Sequence, residues 1–533
     1  MAKGPGGKEH WGTRLGVILA VTGSAVGLGN FLRFPGLAAK YEGGAFMIPY
    51  FIALFLLGMP LAWAEWAMGR YGGAHGHNSS PGIYRSIWKN RAAPYIGVLG
   101  MIIPVGIYMY YVVIEAWCLA YAYYYLNGTM AQLGESARIA TGGLDKSVYV
   151  NFFVNFIGAN EDGVAFSSSG SHLMLFVSLC FVLNFFLIYS GLRRGIERFC
   201  LWAMPALIIC ALLVLVRVLT LDNVTDGLGF MWNLRTSKGG LLESLANPNM
   251  WLDATSQVFF TLSVGFGIII TYSSYLRRDD DVALSSLTAC AGNEFCEVAL
   301  GGMIVIPAAF LFLGAQQVTD ASGSSFNLGF MTLPMVFESM PLGHIVGFLF
   351  FFLLFLAAIT SSLSMLQPAI ALLEEGLGLN RRASVAVLGF VTLVGAGFVL
   401  TYSKDALVLD TMDFWVGTFC IFLLASFQTL LFGWGMGIER GMAELDRGAA
   451  MRVPRVVGYV IKYVSPIYLI GIFAFWLYQQ ITQDDGNRFV AIRDNEVVRM
   501  AVGFIIVVTV LFLLLIAQSV KRWRKLERVE VNS

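Results

Sequence analysis

The chain has 533 residues, 57% of them hydrophobic and only 13% charged, with 35 Lys and Arg against 34 Asp and Glu for a net charge of +1. So little charge over such a length excludes a soluble globular protein and describes a chain that crosses a membrane repeatedly. The even balance gives no pull towards nucleic acid, so none is expected as a partner. Cysteines such as Cys118, Cys180, Cys210 and Cys420 sit inside apolar stretches with no C-x-x-C pair. They read as small buried hydrophobes rather than disulfides or a metal cluster.

In chain order, stretches long enough to cross a core of ~30 Å fall at 14 to 40, 43 to 70, 93 to 125, 171 to 190, 196 to 218 and 250 to 276, then at 283 to 314, 345 to 376, 384 to 401, 406 to 434, 456 to 481 and 498 to 520. The first follows a polar start and outruns the apolar region of a signal peptide, so an uncleaved amino terminus in the cytoplasm is expected. Basic residues sort by loop as the positive-inside rule requires. Arg70, Arg85, Lys89 and Arg91 follow span two, Arg193, Arg194 and Arg198 follow span four, and Lys521, Arg522, Arg524 and Lys525 close the chain. Loop 315 to 343 holds no Lys or Arg. Twelve spans with both termini cytoplasmic fit these charges, which gives an all-α polytopic membrane protein. The long loops 126 to 170, 219 to 249 and 315 to 343 are expected to fold into short helices and lids.

Two spans are built to break. Span one carries Gly23, Ser24, Gly27, Gly29 and Asn30 at mid-membrane, and span six carries Thr261, Ser263, Gly265 and Gly267. Glycine costs about 1 kcal/mol relative to alanine inside a helix, so such runs favour unwinding and free backbone carbonyls. Hydrocarbon offers those carbonyls nothing, and irregular backbone survives at this depth only where protein buries it or a cavity adjoins it. Close helix packing is the competing use of the glycines. The breaks stand five spans apart, in corresponding places of two five-helix halves with opposite topology. That placement points to a solute site between inverted repeats.

The segments WGTRLGVILAVTGSAVGLGNFLRFP, GGAFMIPY, EWAMGRYGG, YYVVIEAW, FFTLSVGFG, TSSLSMLQP and MDFWVG together resemble the sodium-dependent neurotransmitter symporter family, in particular its bacterial amino-acid branch. The resemblance implies twelve transmembrane helices in a LeuT-type 5+5 inverted repeat with helices one and six unwound. Residues 1–218 would form the first repeat, 219–434 the second, and 435–533 helices eleven and twelve with a cytoplasmic tail. It implies a multi-pass protein of the cell inner (plasma) membrane, a monomer or homodimer in the bilayer, that carries an amino acid inward with sodium by alternating access. An amino-acid sensor or a channel on the same helices is the alternative. No enzyme motif is present.

By the same resemblance two sodium ions are co-transported. The first would be held by Ala25, Asn30, Thr261 and Asn293, and the second by Gly23, Val26, Ala357, Thr360 and Ser361. Sodium is hard and takes neutral oxygens, which unwound carbonyls and hydroxyls supply. Taken alone, Thr360 and Ser361 would more ordinarily bond back to the preceding helical turn. Gly27 stands where amine-transporting relatives carry a carboxylate, so the solute must bring its own. Its ammonium would meet carbonyls around Ala25, Phe260 and Thr261, and its carboxylate the Tyr111 hydroxyl and the amides of Leu28 and Gly29, where a half-helix begins.

The side-chain pocket would comprise Ile107, Tyr111, Phe260, Ser263, Phe266, Ser361 and Met365. It holds no ionisable group, so a charged solute side chain would lose hydration without a partner, and alanine, valine, leucine or methionine is expected. The leucine-accepting bacterial relative carries Val and Ile where Ile107 and Met365 stand. Arg33 and Asp413 resemble an outer gate. Trp11, Lys8, Tyr275 and Glu375 resemble an inner one, in which Lys8 replaces the usual Arg and forgoes its bidentate fork. Glu297 lies one turn after Asn293, where chloride-dependent relatives carry serine. Its built-in charge predicts no chloride requirement and, if it protonates when sodium leaves, proton antiport. Glu65, Glu115 and Glu294 are expected to be structural partners.

Overall fold

The computed structural model describes residues 9–141, 145–167, 170–234, 240–321, 326–482 and 487–532. Lys8 therefore lies outside the described residues. Among them there is no strand, and ten helices are long and apolar enough to cross a membrane. They are Gly44–Ala74, Ala93–Leu126, Gly170–Tyr189, Leu192–Leu219, Val282–Ala315, Gly343–Gly376, Arg381–Thr401, Lys404–Asp446, Arg455–Thr482 and Glu496–Arg528. The bent pair Arg14–Ala25 and Gly29–Lys40, inclined at 47°, makes an eleventh span.

By length and composition the count thus stops at eleven rather than the twelve expected. The reason is local to span six. Its stretch folds as two pieces, Pro248–Leu262 and Ile268–Ser273, the first carrying Asp253, Ser256, Gln257 and Thr261 and the second only six residues long. A helix interrupted by Gly265 and Gly267, both at positive φ, is not one continuous apolar rod.

The longest buried spans form a scaffold: span eight (Gly343–Gly376) lies along span three (Ala93–Leu126) and against span five (Leu192–Leu219). Spans one and six pack against this wall and against span seven (Val282–Ala315). Small residues let them approach. A Cβ on Gly69 would stand 1.9 Å from Ser273 Oγ, and one on Gly73 1.9 Å from the Ser274 carbonyl, so span two presses backbone to backbone against the second half of span six. The long loops hold short helices as expected: Thr129–Thr141 and Lys146–Ile157 in the first, Val224–Trp232 and Leu241–Leu245 in the second, Leu333–Glu338 in the third.

Span two ends in a buried arginine. The fully buried Arg70 donates from Nε to Glu444 Oε1 at 2.9 Å, from Nη1 to the carbonyls of Asp280 (2.5 Å) and Arg447 (3.0 Å), and from Nη2 to the Glu444 carbonyl. Two loops of the same membrane face, around Asp280 and around Glu444 and Arg447, are thereby tied to the end of span two by one guanidinium. Removing one partner of a buried pair costs about 3–5 kcal/mol, because the other charge is left without compensation. Arg70→Ala is therefore expected to lower the melting temperature of the purified protein sharply, in a thermal denaturation series where an unchanged melt would show that Glu444 finds water instead.

Candidate functional site

The two breaks meet at the centre of the molecule. Helix Arg14–Ala25 ends as Val26 turns to an extended conformation (φ −74°, ψ 97°), and the chain resumes at Gly29 with a wide turn over Gly29–Arg33. Asn30 closes the gap. Its Oδ1 accepts from the Gly27 amide at 2.8 Å, while its Nδ2 donates to Asn293 Oδ1 at 2.8 Å, Thr261 Oγ1 at 3.1 Å and Glu297 Oε2 at 3.2 Å. One side chain thus joins spans one, six and seven. One end of the Asn293 carboxamide stands 3.2 Å from the carbonyl oxygens of both Ala25 and Thr261. An amide nitrogen there donates to both carbonyls.

Glu297 faces this group. Its Oε2 accepts from the Thr261 hydroxyl and from Asn293 Nδ2 at 3.4 Å, and its Oε1 from Gln257 Nε2 at 2.8 Å. Asn30, Asn293, Gln257 and Glu297 are each 0% exposed, and among the described residues no Lys, Arg or His pairs with Glu297. Gln257 escaped the sequence reading, although it stands one turn before Thr261 on the same helix face. Three further carboxylates of the spans, the fully buried Glu65 and Glu115 and the half-buried Glu294, find neutral partners. Glu115 accepts from Asn184 at 3.0 Å and Ser362 at 2.6 Å, Glu294 from the Tyr50 hydroxyl at 2.8 Å, and Glu65 from the Gly265 amide at 3.3 Å inside the span-six break.

A second oxygen cluster lies between spans one and eight. Ser361 Oγ donates across the interface to the carbonyls of Gly23 (3.3 Å) and Ser24 (3.2 Å), whereas Thr360 Oγ1 bonds back to Leu356 and Ala357 at 3.0 Å each. The two hydroxyls therefore behave differently, and only Ser361 departs from the ordinary back-bonding. A Cβ on Gly23 would lie 3.2 Å from Thr360 Cβ, so Gly23 and Thr360 pack side by side. Val26 and Ala357 are fully buried beside them.

Next to both clusters, a carbon on Gly27 would stand 3.0 Å from Ser361 Oγ and 3.0 Å from the Tyr111 hydroxyl. That hydroxyl accepts from the Leu28 amide at 3.3 Å. Phe260 and Phe266 meet edge-on at 5.9 Å, Phe260 lies against Gly29, and Ser263, at φ +54°, donates to the Ser24 carbonyl at 3.0 Å. Ile107 and Met365 are buried. A cavity of about 400 Å³ reaches this level, lined by Leu28, Gly29, Arg33, Tyr111, Phe260 and Asp413 among others.

Arg33 and Asp413 face that cavity without joining. Arg33 donates to Ser256 Oγ at 2.9 Å and lies 5.0 Å over the Phe260 ring, while Asp413 accepts from the Tyr110 hydroxyl at 2.7 Å. At the opposite end the chain is closed. Trp11 Nε1 donates to the Tyr272 carbonyl at 2.9 Å with their rings edge-on, and the Tyr275 hydroxyl accepts from Gln367 at 2.9 Å. Glu375 binds elsewhere, to the Asn78 amide and to Ser79 Oγ at 2.5 Å.

Span seven reaches Asn30 only because Gly301 has no side chain. A Cβ there would lie 2.0 Å from the Asn30 carbonyl oxygen and 3.3 Å from Phe31 Cα, contacts that backbone cannot relieve. Gly301→Ala is expected to push span seven off the break and reduce solute uptake at least as strongly as loss of a site side chain, with the folded yield largely kept. Uptake per folded molecule in proteoliposomes measures this.

Broken helices at mid-membrane, oxygen clusters beside them and a cavity leading in define a polytopic membrane carrier. The sequence profile of the Sodium:neurotransmitter symporter family matches residues 8–522. The chain belongs to that family and is a sodium-coupled membrane transporter. It is similar to an uncharacterized sodium-dependent transporter of Methanocaldococcus jannaschii, 29% identical over 479 residues that cover 87% of this chain and 89% of the relative. It is 23% identical over 500 residues to the sodium- and chloride-dependent GABA transporter 2 of Mus musculus, covering 88% and 80% of the two chains. Among solved structures it resembles MhsT in complex with L-phenylalanine, with a TM-score of 0.74 at 28% identity over 88% of this chain and 99% of that one.

Proposed function

We propose that the protein imports a neutral, hydrophobic α-amino acid with two sodium ions by alternating access. The observation that carries the substrate class is the space at Gly27. With Ser361 Oγ and the Tyr111 hydroxyl each 3.0 Å from where a Cβ would begin, no carboxylate side chain of the protein fits. The solute supplies the anion, received by the Tyr111 hydroxyl and the half-helix start at Leu28 and Gly29. Ile107, Phe260, Phe266 and Met365 leave an apolar place for its side chain. The L-phenylalanine held by MhsT supports an amino acid as the solute.

Sodium is cargo here, and the oxygen donors suit it. The first ion takes Asn30, Asn293, Thr261 and the Ala25 carbonyl together with the solute carboxylate. The second takes the carbonyls of Gly23, Val26 and Ala357 with Thr360 and Ser361. Glu297, buried with no basic partner, gains its counter-charge when the first ion binds, which makes chloride unnecessary. The open Arg33–Asp413 pair and the packed Trp11–Tyr272 contact fit a state open on the face opposite the termini. Solute binding would then draw the outer pair together over Phe260 and Phe266.

Radiolabelled uptake into proteoliposomes, taken across the twenty amino acids with an inward sodium gradient and then with potassium in its place, tests this. Alanine, valine, leucine or methionine is expected to accumulate at least tenfold over the potassium control, within the roughly fiftyfold that a 100 mV potential supplies per charge, and lysine and glutamate are not. Uptake confined to aromatic amino acids would refute the aliphatic pocket. Sodium-dependent binding with no accumulation would make the chain a sensor.

A further inference from the structure

The membrane face that bears the basic loops carries a cavity that transport leaves unused. It measures about 570 Å³ and lies between the helix Ser80–Ile87 with the loop after it, Arg440, and the last turns of span twelve. Its walls present Arg85, Lys89, Arg91, Arg440 and Arg524 against one carboxylate, Glu527. That carboxylate is already engaged, 2.7 Å from Arg85. Among the described residues Lys89, Arg91, Arg440 and Arg524 form no ion pair.

A second cavity of about 490 Å³ shares Tyr71, His75 and Arg440 with the first and adds Arg278 and Arg447, with one carboxylate, Glu444, already paired to Arg70 and Arg447. The two make one basic trough. Basic loops on this face are expected of any polytopic protein, but loops alone give scattered cations on open surface. Here the cations converge on a concave wall, with Ile87 and Val520 buried at its floor and Ser86 and Asn90 offering neutral polar groups. Low-dielectric walls focus the field of one-sign charge, and planar guanidinium forks match phosphate oxygens in pairs.

We propose that this trough binds a phosphate-bearing anion, and that its place at the span ends favours the headgroup of an anionic phospholipid. Clusters of this kind next to membrane spans attract such lipids by about fivefold per cation. The occupant would join the helix Ser80–Ile87 to span twelve, which Arg85 already touches through Glu527 and through Trp523, 5.7 Å from the guanidinium. Span twelve, remote from the two breaks, thereby gains a role as one wall of a lipid site.

The test uses the full chain in detergent, read by native mass spectrometry with added phosphatidylglycerol or phosphatidylcholine, and by melting temperature with inorganic phosphate. Two variants are compared: Lys89→Gln/Arg91→Gln/Arg440→Gln, which removes three of the trough's cations, and Arg194→Gln/Arg198→Gln, which removes exposed cations from the same face elsewhere. All five positions are exposed, so both variants are expected to melt like the wild type without ligand. The expected result is phosphatidylglycerol retained over phosphatidylcholine, weakened roughly a hundredfold in the triple variant and unchanged in the control. Stabilisation by phosphate that the triple variant alone loses, with no lipid retained, also supports the site and makes its source soluble. Equal loss in both variants, or no dependence on either, overturns the proposal and leaves only diffuse attraction.

Discussion

Asn30→Ala is expected to reduce sodium-driven uptake by roughly a hundredfold, the equivalent of about 3 kcal/mol from stranding two or more buried polar groups. The size follows from what the side chain holds. Its Oδ1 accepts the Gly27 amide at 2.8 Å, so alanine leaves that amide unsatisfied at mid-membrane, where lipid cannot replace the bond. Its Nδ2 bridges Asn293, Thr261 and Glu297, so the same change uncouples spans one, six and seven. The Oδ1 retains a second lone pair for an ion, and alanine removes that donor too. A sodium titration of melting temperature separates these effects. If the Asn30→Ala protein is stabilised by sodium at the same concentration as the wild type while uptake falls, Asn30 shapes the backbone and does not hold the ion.

The breaks were legible because they are local chemistry. Gly27 and Gly29 with Asn30, and Gly265 and Gly267 with Thr261, interrupt apolar runs at a depth where freed backbone groups must find their partners inside the protein. Asn293 and Glu297 could be paired by their spacing of four on one helix. What escaped the sequence depends on how helices rotate against one another. Most of these spans are apolar on every side, so periodicity does not say which face is inward. Gln257 is an example: its spacing from Thr261 was available, but its hydrogen bond to Glu297 needs the crossing of spans six and seven. Gly301 is another, since only the approach of span seven to the Asn30 carbonyl distinguishes it from the other glycines. Span six is the least continuous of the spans because polar residues and glycines displace apolar ones at its centre.

Gates were the least legible part, for a different reason. A gate is a pair of groups that meet in one conformation and part in another, so a sequence can name the partners without saying which contact is made. Arg33 and Asp413 line one cavity but bond to Ser256 and Tyr110. Glu375 engages Ser79 and the Asn78 amide, while Trp11 packs against span six.

The second large effect is expected at Glu297, where two substitutions separate charge from space. Glu297→Gln keeps the side-chain volume and removes the charge, so uptake is expected to fall at least tenfold in chloride and in gluconate alike, a change of about 1.4 kcal/mol or more. Glu297→Ser removes the charge and opens room beside Thr261 and Asn293, so uptake is expected to be low in gluconate and to recover with chloride as the replacement anion. The reasoning is electrostatic. Bringing a sodium ion into a buried cage of neutral oxygens is costly without a nearby negative charge, and Glu297 is the carboxylate that bonds Asn30, Thr261 and Asn293 together. The mouse relative named sodium- and chloride-dependent makes the comparison pointed, since a mobile anion would replace a fixed one. Wild-type uptake stimulated by chloride would defeat this account, and so would a Glu297→Ser protein as active in gluconate as in chloride, because either result would mean that the cation at Asn30 needs no fixed negative charge beside it.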